Sequence, residues 1–515
     1  MSEDVNITRV LVVGGGAAGW LSAGSIAAKY PQLDVTLIEA PNIPILGVGE
    51  GTWPSMRQTL QQMGIGEYDF IRHCHASFKQ GSSFYNWHSQ GHEYHHPFSN
   101  PTGHEHINLA HIWQHEHPKD SFDETVCPQV KICKQGLAPK QKSTPEYAGV
   151  LTYGYHLDAN KFAEFLTQHC VNKLGITHIK DYVLDVTPEP STNDILSLNT
   201  AHSGKLSADL FVDCTGMKSR LLGNHYQVPI VDLSSALPNN RALALQLPHA
   251  ELPGNNYSAA IHSTTKATAN SFGWCWDIPL STRRGVGMVF ASDFCSQHQA
   301  LIELSKYTNT PNLAFDNVKQ LEFTPGYRER FWQNNCVAIG MSAGFLEPLE
   351  ASALAMVELS IRMLLDDFPS TKRHMSIVSQ RYNKRFTYRW QRVSDFIKLH
   401  YITSKRRDSE FWCSVSDIAS ASDELQSLME LWQYQAPSRH DVYENEEIFS
   451  SLSYQYVLYG MRHKSDFLHS PSESDLLAYK QIQHQNQTRQ AALVRGLPNN
   501  NELLTHINMA QMEYA

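Results

Sequence analysis

One stretch of this chain carries residue types at a spacing that does chemistry: Gly14-Gly-Gly16-Ala17-Ala18-Gly19, a G-x-G-x-x-G run. Such a run serves dinucleotide phosphates: the first glycine makes a tight turn, the second lets the backbone approach the pyrophosphate, and the third lets helix and strand pack closely. The helix start that follows offers free amides and a partial positive charge. Glu39 lies 20 residues beyond Gly19, where a carboxylate accepts from ribose hydroxyls. Two further stretches, Ser77-Phe-Lys79-Gln-Gly81 and Gly344-Phe-Leu-Glu-Pro-Leu-Glu350, hold a lysine and a carboxylate. By themselves they read plainly: a lone lysine is usually a solvated charge, and a carboxylate before a helix is favoured by the dipole alone.

These residues need elements to hold them. Arg9-Val-Leu-Val-Val13 is a short β-branched run that reads as a buried strand, the Ala-rich stretch after the glycines reads as a helix to about Lys29, and Asp34–Ile38 reads as a second strand. Together they form a βαβ unit at the head of the chain. Ala208–Gly216 and Cys336–Gly340 are two later strand–glycine stretches that return to the same sheet. Between them, residues 240–330 alternate as an antiparallel sheet does. From Leu354 through Val357, Ile361, Leu364, Leu365 and Phe368 the apolar residues recur at helical spacing. The fold class is therefore α/β, a Rossmann-like FAD-binding fold with an antiparallel sheet and a mostly helical C-terminal part. The expected division is a nucleotide-binding module over 1–350 and a helical region over 351–515 that covers a substrate site. One fingerprint is present and no second, so the reading favours flavin, with reducing equivalents delivered from elsewhere.

Composition narrows the partners. The 515 residues include 42 Lys+Arg against 51 Asp+Glu, with no polybasic block, which argues against nucleic acid and anionic membrane. No apolar run approaches the ~18 residues of a spanning helix, and the first residues lack a basic n-region. Nine scattered cysteines without a C-x-x-C pair suit reduced thiols, and a cytoplasmic location is the expectation. Eleven of the 26 histidines fall between His73 and His117, yet His92, His95 and His96 lack an acidic or thiol partner at ligand spacing, so no metal is expected.

Trp274-Cys-Trp276-Asp-Ile-Pro279 is a W-x-W-x-I-P motif. With Gly47-Val-Gly-Glu-Gly-Thr52, the two stretches around Lys79 and Glu350, Leu399-His-Tyr401 and Arg407-Asp-Ser-Glu-Phe-Trp412, the chain resembles the flavin-dependent tryptophan halogenases from residue 9 to about residue 465. The resemblance implies a two-component system. A separate flavin reductase supplies FADH2, oxygen converts it to a C4a-hydroperoxide, and halide (chloride or bromide) attacks it to give hypohalous acid. That oxidant then travels inside the protein to a small indole-type substrate (tryptophan, indole or a derivative). The flavin set expected is Gly14, Gly16, Ala17, Ala18, Gly19, Glu39, Ala40, Val183, Gly340, Met341 and Leu354, with Trp274 and Trp276 as neighbours that disfavour hydroxylation.

By the same resemblance, Lys79 and Glu350 are the catalytic pair and Ser352 and Ala353 the halide site: the Lys79 ammonium would polarise the oxidant or its neutral amine attack it, and Glu350 would stabilise the cationic ring and accept its proton. This chain reads Ala351-Ser352-Ala353 where the family usually has Ser-Thr-Gly, which bears on halide preference rather than on backbone anion binding. His96 and Phe98 match the rings that sandwich indole, and Tyr454 is assigned as the opposing ring. Residues for an amino acid's ammonium and carboxylate are not identified. The oligomeric state stays open, a homodimer included. The rival readings are a single-component flavin hydroxylase and a flavin- or aromatic-binding protein without turnover.

Overall fold

The computed structural model describes residues 6–43, 47–249, 261–444 and 446–509. Strand β1 (Arg9–Val13) has four consecutive buried residues, as a strand covered on both faces requires. Helix α1 (Ala17–Lys29) follows and leads to β2 (Asp34–Glu39). The sheet continues outward from β2 to β8 (Thr177–Lys180). On the other side of β1 lie β9 (Leu210–Asp213), β16 (Cys336–Ala338) and the antiparallel edge β15 (Trp332–Gln333). The pairings of β1 with β2 and β9, and of β9 with β16, are parallel. Both later strand–glycine stretches thus return to the first sheet as expected.

A small sheet carries the second motif. Strand β7 (Gly154–Leu157) lies between β3 (Glu50–Gly51) and β4 (Ser77–Lys79), antiparallel to each. The registers Gly51 to His156 and Lys79 to Gly154 put the two motif residues on flanking strands.

The sheet expected over 240–330 is larger than the alternation implied. Its order is β14 (Lys319–Glu322), β10 (Arg241–Pro248), β13 (Arg283–Phe290), β12 (Gly273–Pro279), β11 (Thr265–Ala269), β5 (Gly81–Tyr85) and β6 (Glu93–Pro97). The β11–β5 joint is parallel, so the sheet is mixed and recruits two strands from early in the chain. Those strands escaped the pattern because they are buried on both faces and do not alternate.

The C-terminal part is helical. Helix α2 (Ser352–Asp366) buries Leu354, Val357, Ile361, Leu364 and Leu365 as its spacing predicts. Helix α3 (Lys372–Ile402) and helix α4 (Ser451–Gly460) follow. One apolar cluster includes residues from Ile7 to Ile507. Among the described residues no helix is long and apolar enough to cross a membrane.

Candidate functional site

At the nucleotide end the three glycines do separate jobs. Gly14 (φ 120°) passes so close to β9 that a Cβ would lie 2.2 Å from the Cys214 carbonyl oxygen. A Cβ on Gly19 would lie 1.8 Å from the Gly14 carbonyl oxygen, so a side chain there would push α1 off the turn. Gly16 faces open space, caps α1 with extended backbone and leaves the first-turn amides without a side-chain cap. This is a cradle for phosphate oxygens, and a dinucleotide such as FAD fits it. Glu39 ends β2 beside Gly15, with His178 Nε2 at 2.7 Å from its Oε1, and Ala40 follows it. Gly340 (φ 79°) and Met341 come in at the end of β16, where a Gly340 Cβ would lie 2.8 Å from Ala18. Leu354 is buried on α2. Val183 packs with Val13 and Ile38 behind the turn, and its carbonyl accepts from the Arg220 guanidinium.

Trp274 and Trp276 sit two residues apart on β12 and share a face, their rings 6.3 Å apart and edge to face. The Trp274 indole N–H donates to Glu347 Oε2 at 2.7 Å. Glu347 also accepts from Asn239 Nδ2 at 2.7 Å and from the Tyr401 hydroxyl at 2.9 Å. This buried carboxylate, which fixes Trp274, had no separate signal in the sequence beyond its place in Glu-Pro-Leu-Glu.

Lys79 and Glu350 form the second centre. The Lys79 side chain is fully buried, and its Nζ has no hydrogen-bond partner. Burial lowers its pKa to about 8, with the Glu350 charge opposing the shift. Glu350 is buried too, and burial alone would raise its carboxyl. The two imidazoles around it outweigh that and hold it well below the usual carboxylate range. His96 Nδ1 is 2.7 Å and His400 Nε2 is 3.4 Å from Glu350 Oε1. The His400 Nδ1–H donates to the Phe396 carbonyl at 2.9 Å, which leaves Nε2 to face the carboxylate. The backbone at Glu350 (φ 64°) and Ala351 (φ 53°) is left-handed at two consecutive non-glycine residues. Such strain persists only where surrounding contacts fix it, and here the Trp53 indole N–H donates to the Glu350 carbonyl at 3.0 Å. Ser352 and Ala353 open α2 directly after this turn, and no side chain caps their amides.

Aromatic rings line the approach. Lys79 Nζ is 5.4 Å from the Phe98 ring centre, Phe98 is 5.7 Å from Trp53, and Trp53 is 5.1 Å from Phe449. Phe449 stacks on Phe396 at 3.7 Å, and Phe396 is 5.8 Å from His96. The structure corrects the place of Tyr454. Its ring packs against Phe396 at 4.9 Å and Trp432 at 5.4 Å, so it backs Phe396 instead of opposing His96 and Phe98. Residues two apart on a helix point about 200° apart, and on α4 it is Tyr456 that reaches His96, at 5.8 Å. Phe449, Trp53 and Phe396 line this centre without any sign in the sequence reading, and His400 lay within the Leu399-His-Tyr401 motif without an assigned role. Phe449 precedes α4 in an irregular stretch, where no periodicity marks it.

The clustered histidines separate. His95 and His96 point to opposite faces of β6, and His95 Nδ1 meets the Ser83 hydroxyl at 2.8 Å. Among the described residues no group of three or more His, Cys, Asp or Glu is arranged to hold a metal.

Comparison with known proteins fits this geometry. The family model described as tryptophan halogenase matches residues 9–472. A tryptophan 7-halogenase, KtzQ of Kutzneria sp. (strain 744), is 35% identical over 441 residues, covering 81% of this chain and 80% of its own. The crystal structure of a tryptophan halogenase from Shewanella frigidimarina superposes with a TM-score of 0.93 at 44% identity, over 98% of each chain. BrvH, a flavin-dependent halogenase from Brevundimonas sp. BAL3, superposes with a TM-score of 0.83 at 28% identity, over 97% of this chain and 99% of its own.

Proposed function

This chain belongs to the tryptophan halogenase family and is a flavin-dependent halogenase; from that premise we propose that Lys79 and Glu350 halogenate a neutral indole-type substrate with hypohalous acid. When bound, reduced flavin supplies the oxidising equivalents that turn halide and oxygen into that acid. Gly14, Gly16, Ala17, Ala18 and Gly19 would hold its pyrophosphate, Glu39 and Ala40 its ribose, and Val183, Gly340, Met341 and Leu354 the walls around it. Trp274 and Trp276 would flank the flavin. The chain has no second nucleotide fingerprint, so a separate reductase delivers the flavin reduced. The α2 start at Ser352 and Ala353 would hold chloride or bromide by its amides.

The observation that carries the mechanism is a buried, unpartnered Lys79 amine beside a carboxylate that two imidazoles keep ionised. Lys79 donates a hydrogen bond to the oxygen of hypohalous acid and polarises its halogen. The ring's electron pair bonds to the halogen, the oxygen–halogen bond breaks, and the departing hydroxide takes the Lys79 proton as water. Glu350 accepts the proton from the halogenated ring carbon, whose C–H electron pair restores aromaticity. Return of that proton from Glu350 to Lys79 resets both groups. His96 and His400 hold the carboxylate in place throughout.

Preference for a neutral ring rests on cost: no residues are identified to pair an amino acid's ammonium and carboxylate beside Lys79, and burying an unpaired zwitterion costs several kcal/mol. The test is competition between equimolar indole and tryptophan, with reductase-supplied FADH2, oxygen and each halide in turn, read by mass spectrometry. Indole is the expected main product precursor. Turnover of tryptophan alone would overturn the substrate assignment.

A further inference from the structure

Glu350 stands where turn chemistry asks for glycine. The Ala351 N–H donates to the Pro348 carbonyl at 3.0 Å and closes a turn that runs from Pro348 to Ala351. Glu350 is the third residue of that turn, at φ 64° and ψ 6°, and Ala351 follows at φ 53° and ψ 42°. Turns whose third residue takes positive φ favour glycine or asparagine there. A residue with a larger side chain keeps that conformation only where its surroundings hold it. On the C-terminal side α2 begins at Ser352, and the Trp53 indole N–H holds the Glu350 carbonyl.

On the N-terminal side the holding group is Glu347, three residues before Glu350. Its buried carboxylate takes donors from three separate parts of the chain: the Trp274 indole on β12 at 2.7 Å, Asn239 Nδ2 ahead of β10 at 2.7 Å, and the Tyr401 hydroxyl on α3 at 2.9 Å. Asn239 Nδ2 also donates to the Tyr401 hydroxyl at 2.9 Å, so the donors brace one another. Pro348 and the fully buried Leu349 are all that separates the two carboxylates. His400, which faces Glu350, directly precedes Tyr401, which donates to Glu347. Consecutive helical residues point about 100° apart, so one turn of α3 grips this loop at two points. A buried carboxylate is a costly way to fill a core, and this one is spent on fixing the loop that carries Glu350.

We propose that Glu347 is a positioning residue for proton acceptance: it anchors the N-terminal side of the turn and thereby fixes where the Glu350 carboxylate stands against the halogenated ring carbon. This rests on the reading of Glu350 given above. Trp274, Asn239 and Tyr401 hold the anchor, and Glu347 itself makes no contact with the substrate.

The test compares Glu347→Ala with Glu347→Gln in single-turnover halogenation of indole and of ring-deuterated indole, with FADH2, oxygen and bromide supplied. Glu347→Ala lowers the rate at least about tenfold, inside the hundredfold that a displacement of ~1 Å costs a reacting group. FAD affinity stays near wild type, because the glycine turn is untouched. Loss of the ring proton now limits the rate, so the deuterium isotope effect rises above its wild-type value. Loosening of Trp274 alone would slow an earlier step and leave that effect unchanged. Glu347→Gln recovers most of the rate: its carbonyl oxygen takes the place of Oε2, where Trp274 and Asn239 donate, and its amide faces the Tyr401 hydroxyl, which can accept. A lowered rate without a raised isotope effect overturns the inference, as does a wild-type rate in Glu347→Ala or a Gln variant as slow as the Ala variant. Where Glu347→Ala does not fold, Tyr401→Phe takes its place, since it removes one donor from Glu347 and leaves two. A raised isotope effect there supports the inference, and an unraised one overturns it. Glu350→Gln assayed in parallel separates the two levels: a wild-type rate there defeats the reading of Glu350 itself. A slow Glu350→Gln beside a wild-type rate in Glu347→Ala defeats only the role of Glu347.

Discussion

At the glycine turn after β1 the chain presents backbone, and at the Lys79–Glu350 centre it presents side chains. The cradle is built from six consecutive residues, Gly14 to Gly19, with open space in front of Gly16. The other centre is built from Gly51, Trp53, Lys79, His96, Phe98, Glu350, Phe396, His400 and Phe449, which come from eight elements and loops and are mostly buried. A phosphate needs donors in a fixed curve, and a short run of glycines on a strand–helix turn provides that locally. The oxidant proposed above needs the opposite: a site shielded from water, which side chains gathered from distant parts of a packed core provide.

The contrast predicts that damage at one end leaves the other end working. The largest effect is expected from Lys79→Ala. Halogenation falls by about a hundredfold or more, as loss of a positioned proton donor commonly does, while FAD titration and FADH2 consumption match wild type. A variant that keeps near-wild-type product yield would remove Lys79 from the mechanism.

Gly19→Val attacks the other end. Its side chain would meet the Gly14 carbonyl, so flavin affinity should weaken by more than about tenfold, as close packing of helix and turn is lost. Fluorescence titration of FAD reads this directly, and tight flavin binding by the variant would show that the turn has room to yield.

Within the aromatic wall the two candidates for the opposing ring are separable. Phe449→Ala removes the ring stacked on Phe396 and in contact with Trp53, and kcat/KM for indole should fall about tenfold. Tyr454→Phe should change it less than about twofold, because the deleted hydroxyl has no partner in the protein and the ring stays against Phe396. A larger loss in Tyr454→Phe than in Phe449→Ala would instead give the Tyr454 hydroxyl a part in the site.

The smallest effect is on stability. Lys79 titrates at about 8 in the folded chain and near 10.5 when exposed, so the unfolded chain binds the extra proton between those values. The burial penalty is therefore complete below pH 8 and is relieved as pH rises toward 10.5. Lys79→Met should remove that pH dependence and gain roughly 1–3 kcal/mol at pH 7. Denaturant midpoints at pH 7 and 10 check it; equal midpoint shifts at both would mean that the amine is not desolvated.

The sequence by itself determined everything that depends on neighbours along the chain. The βαβ unit, the roles of Gly14, Gly16 and Gly19, the shared face of Trp274 and Trp276, and the course of α2 all follow from periods of two or 3.6 residues and from glycine sterics. The motif residues Lys79, His96 and Glu350 were legible as chemistry, but not as a unit. Only the tertiary structure decided that Glu350 lies between His96 and His400, that the Lys79 amine is left without a partner, and that Gly51 stands against both Lys79 and Ala351. It also decided that Phe449 and not Tyr454 joins the wall, because that depends on how α4 is rotated against β6 and α3. Helix rotation and strand recruitment are set by packing between elements distant in sequence, and local pattern carries no record of which distant surface a side chain will meet.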